Sequence, residues 1–142
     1  MLRMPSGRDM KLQKQSEMKL EHIALTIVDQ ADIESFYQNI LGTSVISNFV
    51  LEKDLARQIF EINRDTPVFL MKNDNLLLEL FISPERNQQD FKHICISIEN
   101  RKELAEKAIQ DGYECIQLRR EKSELIFIKD RSGNIFEIKE EL

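Results

Sequence analysis

LEHIALTI, Leu20–Ile27, and FKHICISI, Phe91–Ile98, are two copies of one pattern. A histidine stands third in each. Behind it, branched residues alternate with small ones. Alternation of period two marks a β-strand with one buried face. In the first copy Ile23, Leu25 and Ile27 share a face, opposite His22, Ala24 and Thr26. In the second, Ile94, Ile96 and Ile98 oppose His93, Cys95 and Ser97. Both histidines lie on the smaller, more polar face. The branched face is expected to pack under a helix.

The stretch after each copy is also repeated. After the first comes QADIESFYQNILG, with Ile33, Phe36, Tyr37, Ile40 and Leu41 at helical spacing and Gly42 as a stop. After the second comes RKELAEKAIQDG, with Leu104, Ala105, Ala108 and Ile109 on one helical face and Gly112 as the stop. The histidines are 71 residues apart and the glycines 70. A repeat this long, matched in strand and helix, predicts two similar modules.

Each module then continues in strands. SVISNFVLE, PVFLMK and NLLLELFI follow Gly42, with the Asn73-Asp74-Asn75 turn between the last two. YECIQLRR, ELIFIKD and NIFEIKE follow Gly112, with an Asp130-Arg131-Ser132-Gly133 turn. The expected class is α+β: two βαβββ modules, over about 18–83 and 91–142, forming a cupped mixed sheet. Polar Ser83–Asp90 links them. DLARQIFEI, with Leu55, Ala56, Ile59 and Phe60 at helical spacing, predicts an extra short helix or lid in module one.

Residues 1–17 differ. They carry Arg3, Arg8, Lys11 and Lys14 with little apolar content, and read as a basic, flexible extension. MKLEHIAL from Met18 could itself be a natural start. At 142 residues the chain suits one domain, over 18–142, with its own core. A net charge of −5 gives no reason to expect nucleic acid, and no apolar run reaches membrane-span length. Cys95 and Cys115 form no CxxC pair, which fits a reducing, cytoplasmic setting. Cys95 shares the His93 face but reads more simply as a small buried residue.

The closing strand of each module carries a second coincidence. Glu79 sits mid-strand between Leu78 and Leu80, and Glu137 between Phe136 and Ile138. A carboxylate in such a setting needs solvent or a partner. His22 and His93 are the only two histidines in the chain. Two imidazoles and two carboxylates, one of each per module, would make a four-ligand centre suited to Zn, Ni, Co, Fe or Mn.

These residues carry a family resemblance. LEHIALTI with His22, SFYQNILG at 35–42, LLLELF with Glu79, FKHICISI with His93 and KDRSGNIFEI with Glu137 resemble the vicinal oxygen chelate superfamily over about residues 18–142. That superfamily includes glyoxalase I, methylmalonyl-CoA epimerase, extradiol dioxygenases and fosfomycin-resistance proteins. Its members often have Asp-Pro in the last motif, where this chain has Asp130-Arg131. The resemblance implies His22, Glu79, His93 and Glu137 as ligands of one divalent metal, and a homodimer whose partner in some members completes the site.

A divalent ion holding two substrate oxygens stabilises an enediolate, while a carboxylate moves the proton beside the carbonyl. The full His-Glu-His-Glu set resembles glyoxalase I most, which implies a lyase or isomerase with Glu137 as base and Glu79 as the second catalytic carboxylate. The substrate would be a small molecule, such as a glutathione or CoA thiol conjugate. The alternatives are an isomerase resembling methylmalonyl-CoA epimerase, and a member that only binds small molecules.

Overall fold

The computed structural model describes residues 18–142. The basic extension expected over 1–17 lies outside the described residues. Module one contains β1 (Ile23–Ile27), α1 (Ile33–Gln38), β2 (Ser44–Leu51), α2 (Lys53–Phe60), β3 (Thr66–Lys72) and β4 (Leu77–Ile82). Module two contains β5 (Ile94–Ile98), α3 (Arg101–Gln110), β6 (Glu114–Arg119), β7 (Glu124–Lys129) and β8 (Ile135–Glu140). Each module builds one four-stranded sheet, ordered β1-β4-β3-β2 and β5-β8-β7-β6. The first strand pairs in parallel with the last, and the remaining pairs are antiparallel. The two βαβββ units expected from the repeat are therefore both present.

Strand pairing puts the histidine segment beside the glutamate strand. Ala24 lies opposite Glu79 in module one, and Cys95 opposite Glu137 in module two. Parallel β1–β4 pairing requires the intervening chain to cross over, and α1, β2 and β3 supply that crossover.

α1 departs from the regular helix expected over this stretch. It is a short π-type turn, in which the Asn39 and Leu41 amides bond back five residues to Glu34 and Phe36. Such a wide turn is rare. Here it carries consecutive aromatics, Phe36 and Tyr37, which are both fully buried with rings 5.0 Å apart. The Thr43 hydroxyl closes the end by donating to the Tyr37 carbonyl across 2.6 Å.

α2 is the element without a counterpart in module two. Asp65 holds its first turn by accepting the Lys53 amide at 2.7 Å. Glu61, in the left-handed region at φ 59°, ends it.

The main core joins both modules. Ile27, Phe36, Tyr37, Met71, Leu78 and Leu80 of module one pack with Leu104, Ala108, Tyr113, Ile126, Ile128, Phe136 and Ile138 of module two. Phe36 meets Tyr113 at 4.9 Å and Phe136 at 5.6 Å between ring centres. The branched faces of β1 and β5 pack against this core, as expected. Burying several hundred Å² of aromatic surface this way is worth several kcal/mol, at about 25 cal/mol per Å². Ala56 and Val68 are also buried but stand outside this core, on the other face of the first sheet.

Polar bonds cross the same junction. Tyr37 donates to Asp130, and Tyr113 donates to Asp32. Arg131 reaches Asp32 at 2.7 Å and lies 4.6 Å over the Tyr113 ring. The Val28 amide donates to Ser132 Oγ at 2.8 Å, and Asn134 Nδ2 donates to the Thr26 carbonyl at 2.9 Å. Asp32 and Asp130 are both buried. Neither is left without a partner, as burial demands.

Candidate metal centre

Within each module the histidine meets the mid-strand glutamate. His22 Nε2 lies 3.5 Å from Glu79 Oε1, and His93 Nε2 lies 3.3 Å from Glu137 Oε1. The side chains are 43% and 42% exposed for the histidines, and 20% and 19% for the glutamates. The two pairs are near copies in distance and in burial. Each glutamate is tucked into its sheet, and each imidazole lies across it from the solvent side.

The loop before β5 sets the His93 ring. Asp90 accepts the Lys92 amide at 2.8 Å, which also holds the Asp90 carboxyl below its ordinary value. The chain then turns so that His93 Nδ1 lies 2.9 Å from the Phe91 carbonyl. A carbonyl only accepts, so Nδ1 carries the hydrogen. In the neutral ring, Nε2 then holds a lone pair that faces a carboxylate oxygen.

A lone pair facing a carboxylate is repulsive unless a cation joins them: a proton on Nε2 or a metal ion. Ligands bonded to one ion at about 2.0–2.2 Å stand roughly 3.0–3.5 Å apart. The His–Glu separations of 3.3 and 3.5 Å match that spacing. A ring nitrogen donating to a backbone carbonyl is also the usual second contact of a metal-bound histidine. The donor set thus fits a divalent ion.

The two pairs do not converge within one chain. Among the described residues, no three His, Cys, Asp or Glu side chains cluster closely enough to hold a metal. The structure brings His22 to Glu79 and His93 to Glu137, and leaves the pairs as two separate half-sites.

Cys95 is exposed rather than buried, because β5 turns its small face outward in the chain. What cover it has, together with the Glu137 carboxylate, raises its thiol pKa.

Two hollows border the half-sites. A cleft of about 970 Å³ runs along β1 and the start of β5, walled by Arg86, Asn87, Lys129 and His93. A smaller cavity of about 210 Å³ lies under α2, lined by Ala24, Thr26, Ala56, Phe60, Arg64 and Phe81 among others. Arg64 gave no signal in the sequence, where it is a lone arginine in a polar loop.

The paired βαβββ architecture, with a histidine immediately before each first strand and a glutamate on each last, defines a class of protein. The chain belongs to the Glyoxalase/Bleomycin resistance protein/Dioxygenase superfamily, whose profile matches residues 19–138. It is similar in structure to the fosfomycin resistance protein FosX of Listeria monocytogenes, with a TM-score of 0.67, 18% identity, and coverage of 89% of this chain and 95% of that one. A mutant of that protein, complexed with Mn(II) and 1S,2S-dihydroxypropylphosphonic acid, aligns at TM-score 0.65, 20% identity, and 85% and 90% coverage. A glyoxalase family protein of Enterococcus faecalis aligns at TM-score 0.62, 18% identity, and 84% and 95% coverage. Comparison with curated protein sequences finds no match. Among the described residues, no helix is long and apolar enough to cross a membrane.

Proposed function

We propose that the chain is a divalent-metal-dependent lyase or isomerase of the glyoxalase I kind, acting on a thiol conjugate of a small carbonyl compound. The observation that carries the reading is the duplicated pair, His22 with Glu79 and His93 with Glu137, each at the spacing of co-ligands. A bound Zn, Ni, Co, Fe or Mn ion would supply a Lewis acid that acidifies the C–H beside a carbonyl. Glu137 is the base that takes that proton and returns it to the neighbouring carbon. Glu79 is the second carboxylate, and the two histidines orient the group. Buried Phe136 and Ile138 hold the strand that carries Glu137.

The centre is complete when module one of one chain faces module two of another. The half-sites stand apart in the single chain, and edge strand β2 exposes Val45, Ile46, Phe49 and Val50. Unpaired apolar edges invite association. A two-fold dimer would give two equal centres, each with all four ligands.

A second reading comes from the structural likeness to FosX: the ligand on the metal would be a small phosphonate. Glu79 favours the first reading, since the set of two histidines and two glutamates resembles that of glyoxalase I.

Metal analysis of protein kept from chelators tests the centre. One divalent ion per chain is expected, and no stoichiometric metal before or after titration would sink it. Turnover then assigns the chemistry. Consumption of the hemithioacetal of methylglyoxal and glutathione supports the lyase. Activity only with methylmalonyl-CoA, or only with fosfomycin, replaces it with an epimerase or a phosphonate enzyme. Metal without any turnover leaves a small-molecule binder.

A further inference from the structure

We propose that the cavity under α2 is the subsite for the substrate's acyl side chain, and that it takes a short apolar stem ending in a carboxylate, which Arg64 reads. The inference rests on the proposed lyase or isomerase function for its position in the reaction, and on the cavity itself for its chemistry.

The cavity lies on the same face as Glu79. Ala24 pairs with Glu79 in register, and Phe81 is the next residue of β4 on that face. One strand period carries the surface about 7 Å from the carboxylate to the cavity wall. A substrate reacting at the half-site therefore has its next few atoms over Phe81.

The walls select for apolar atoms. Leu51, Ala56, Phe60, Ile62 and Phe81 line them, with Phe60 and Phe81 in edge contact at 5.7 Å. α2 supplies Ala56 and Phe60, and module two has no counterpart of it, so only one half of the duplicated device has this pocket. The volume of about 210 Å³ holds about seven non-hydrogen atoms, at roughly 30 Å³ each.

Arg64 is the one charged residue in the wall, whose other polar members, Thr26, Thr66 and Ser83, are neutral. Arg64 is half-buried, and its guanidinium donates to Ser83 Oγ at 3.3 Å. Among the described residues it pairs with no carboxylate; neighbouring Asp65 spends an oxygen on the Lys53 amide. A guanidinium has five donors arranged as a fork that fits a carboxylate in bidentate fashion. An apolar pocket ending in such a fork accepts a chain tipped with an anion, and rejects the same chain tipped with an ammonium group.

Pentanoate, with seven non-hydrogen atoms, is the probe. Its binding to the full-length protein is followed by calorimetry and ligand-observed NMR, with and without prior chelator treatment. Pentanoate is expected to bind both preparations alike, and R64Q to weaken it at least tenfold, with R64K intermediate. Binding of 1-pentanol should be the same in wild type and R64Q. The half-exposed Ile62→Trp, which fills the mouth from another element, should block both probes. Equal pentanoate binding by wild type and R64Q, or binding lost with the metal, overturns the proposal. Because the chelated protein is one arm, the subsite stands or falls separately from the metal-dependent reaction.

Discussion

Tyr37 Oη donates to Asp130 Oδ2 across 2.6 Å, carrying a hydrogen bond from α1 of module one to the β7–β8 turn of module two. Tyr113 Oη donates in the opposite direction, to Asp32 across 2.7 Å, so each module's tyrosine is held by a carboxylate of the other. Tyr37→Phe keeps the ring and removes one donor from a buried carboxylate. Asp130 retains Asn134 Nδ2 at 2.8 Å and two backbone amides. The expected loss is therefore about 1–2 kcal/mol, read from denaturant unfolding. Tyr113→Phe should cost less, because Arg131 still covers Asp32. A larger loss for Tyr113→Phe would contradict this account of the junction.

The same bonds give the protein an alkaline limit. Tyr37 and Tyr113 are the only tyrosines in the chain. Burial first, then the neighbouring carboxylates, raise both phenol pKa values in the folded state. A raised folded pKa means the unfolded chain gives up its protons first as pH climbs past about 10. Stability is thus fully present below about pH 10 and falls above it. Phenolate absorbance should rise with unfolding, not as an independent titration near the ordinary phenol pKa of about 10. The Tyr37→Phe, Tyr113→Phe double variant should show a flatter stability curve over that range. Free titration of both tyrosines in the native state would contradict their burial.

Gly133 in the β7–β8 turn has φ of +90°, and a Cβ there would lie 3.7 Å from Arg86 Nη2. The space is adequate, but the backbone conformation is not one that L side chains favour. Gly133→Ala should cost about 1 kcal/mol or more through strain. Its neighbour Asn134 ties the turn to β1, so the cost should appear as lower Tm with unchanged secondary structure. An unchanged Tm would mean that the turn relaxes freely.

Much of this was legible because half-buried strands print their faces in alternation. LEHIALTI and FKHICISI place His22 and His93 on the small face, and that is the face that meets Glu79 and Glu137. The junction between modules was not legible. Asp130 reads as a turn residue and Asp32 carries no mark of its own in the sequence, and only the fold brings each to the other module's tyrosine. The α1 stretch shows helical spacing, yet consecutive Phe36 and Tyr37 are both buried, in a wider turn. Cys95 reads as a buried small residue because the sequence does not say which face of β5 another surface covers. The half-sites follow from strand pattern, whereas the separation of the two pairs within the chain does not, because the alternation of one strand says nothing about where the other module's strands lie.

Glu137→Gln tests the base directly. The amide keeps the shape and one oxygen but cannot take a proton. Turnover is expected to fall by about 10²–10⁴-fold, the usual contribution of a positioned base. Metal content should drop only partly, since His22, Glu79 and His93 remain. Full activity with full metal content would remove Glu137 from the proton transfer.

Mixing two dead variants decides where the centre is built. One carries His22→Ala and Glu79→Ala, the other His93→Ala and Glu137→Ala, so neither homodimer has an intact set. If each centre draws module one from one chain and module two from the other, the mixed dimer has one complete centre and one empty one. Random exchange makes half the dimers mixed, so about a quarter of wild-type centres return. Metal content and turnover should recover together to about that level after subunit exchange. If all four ligands came from a single chain, no mixture would restore anything, because each chain lacks one half. Recovery of metal without turnover would place the ligands across the dimer but leave the proton transfer elsewhere.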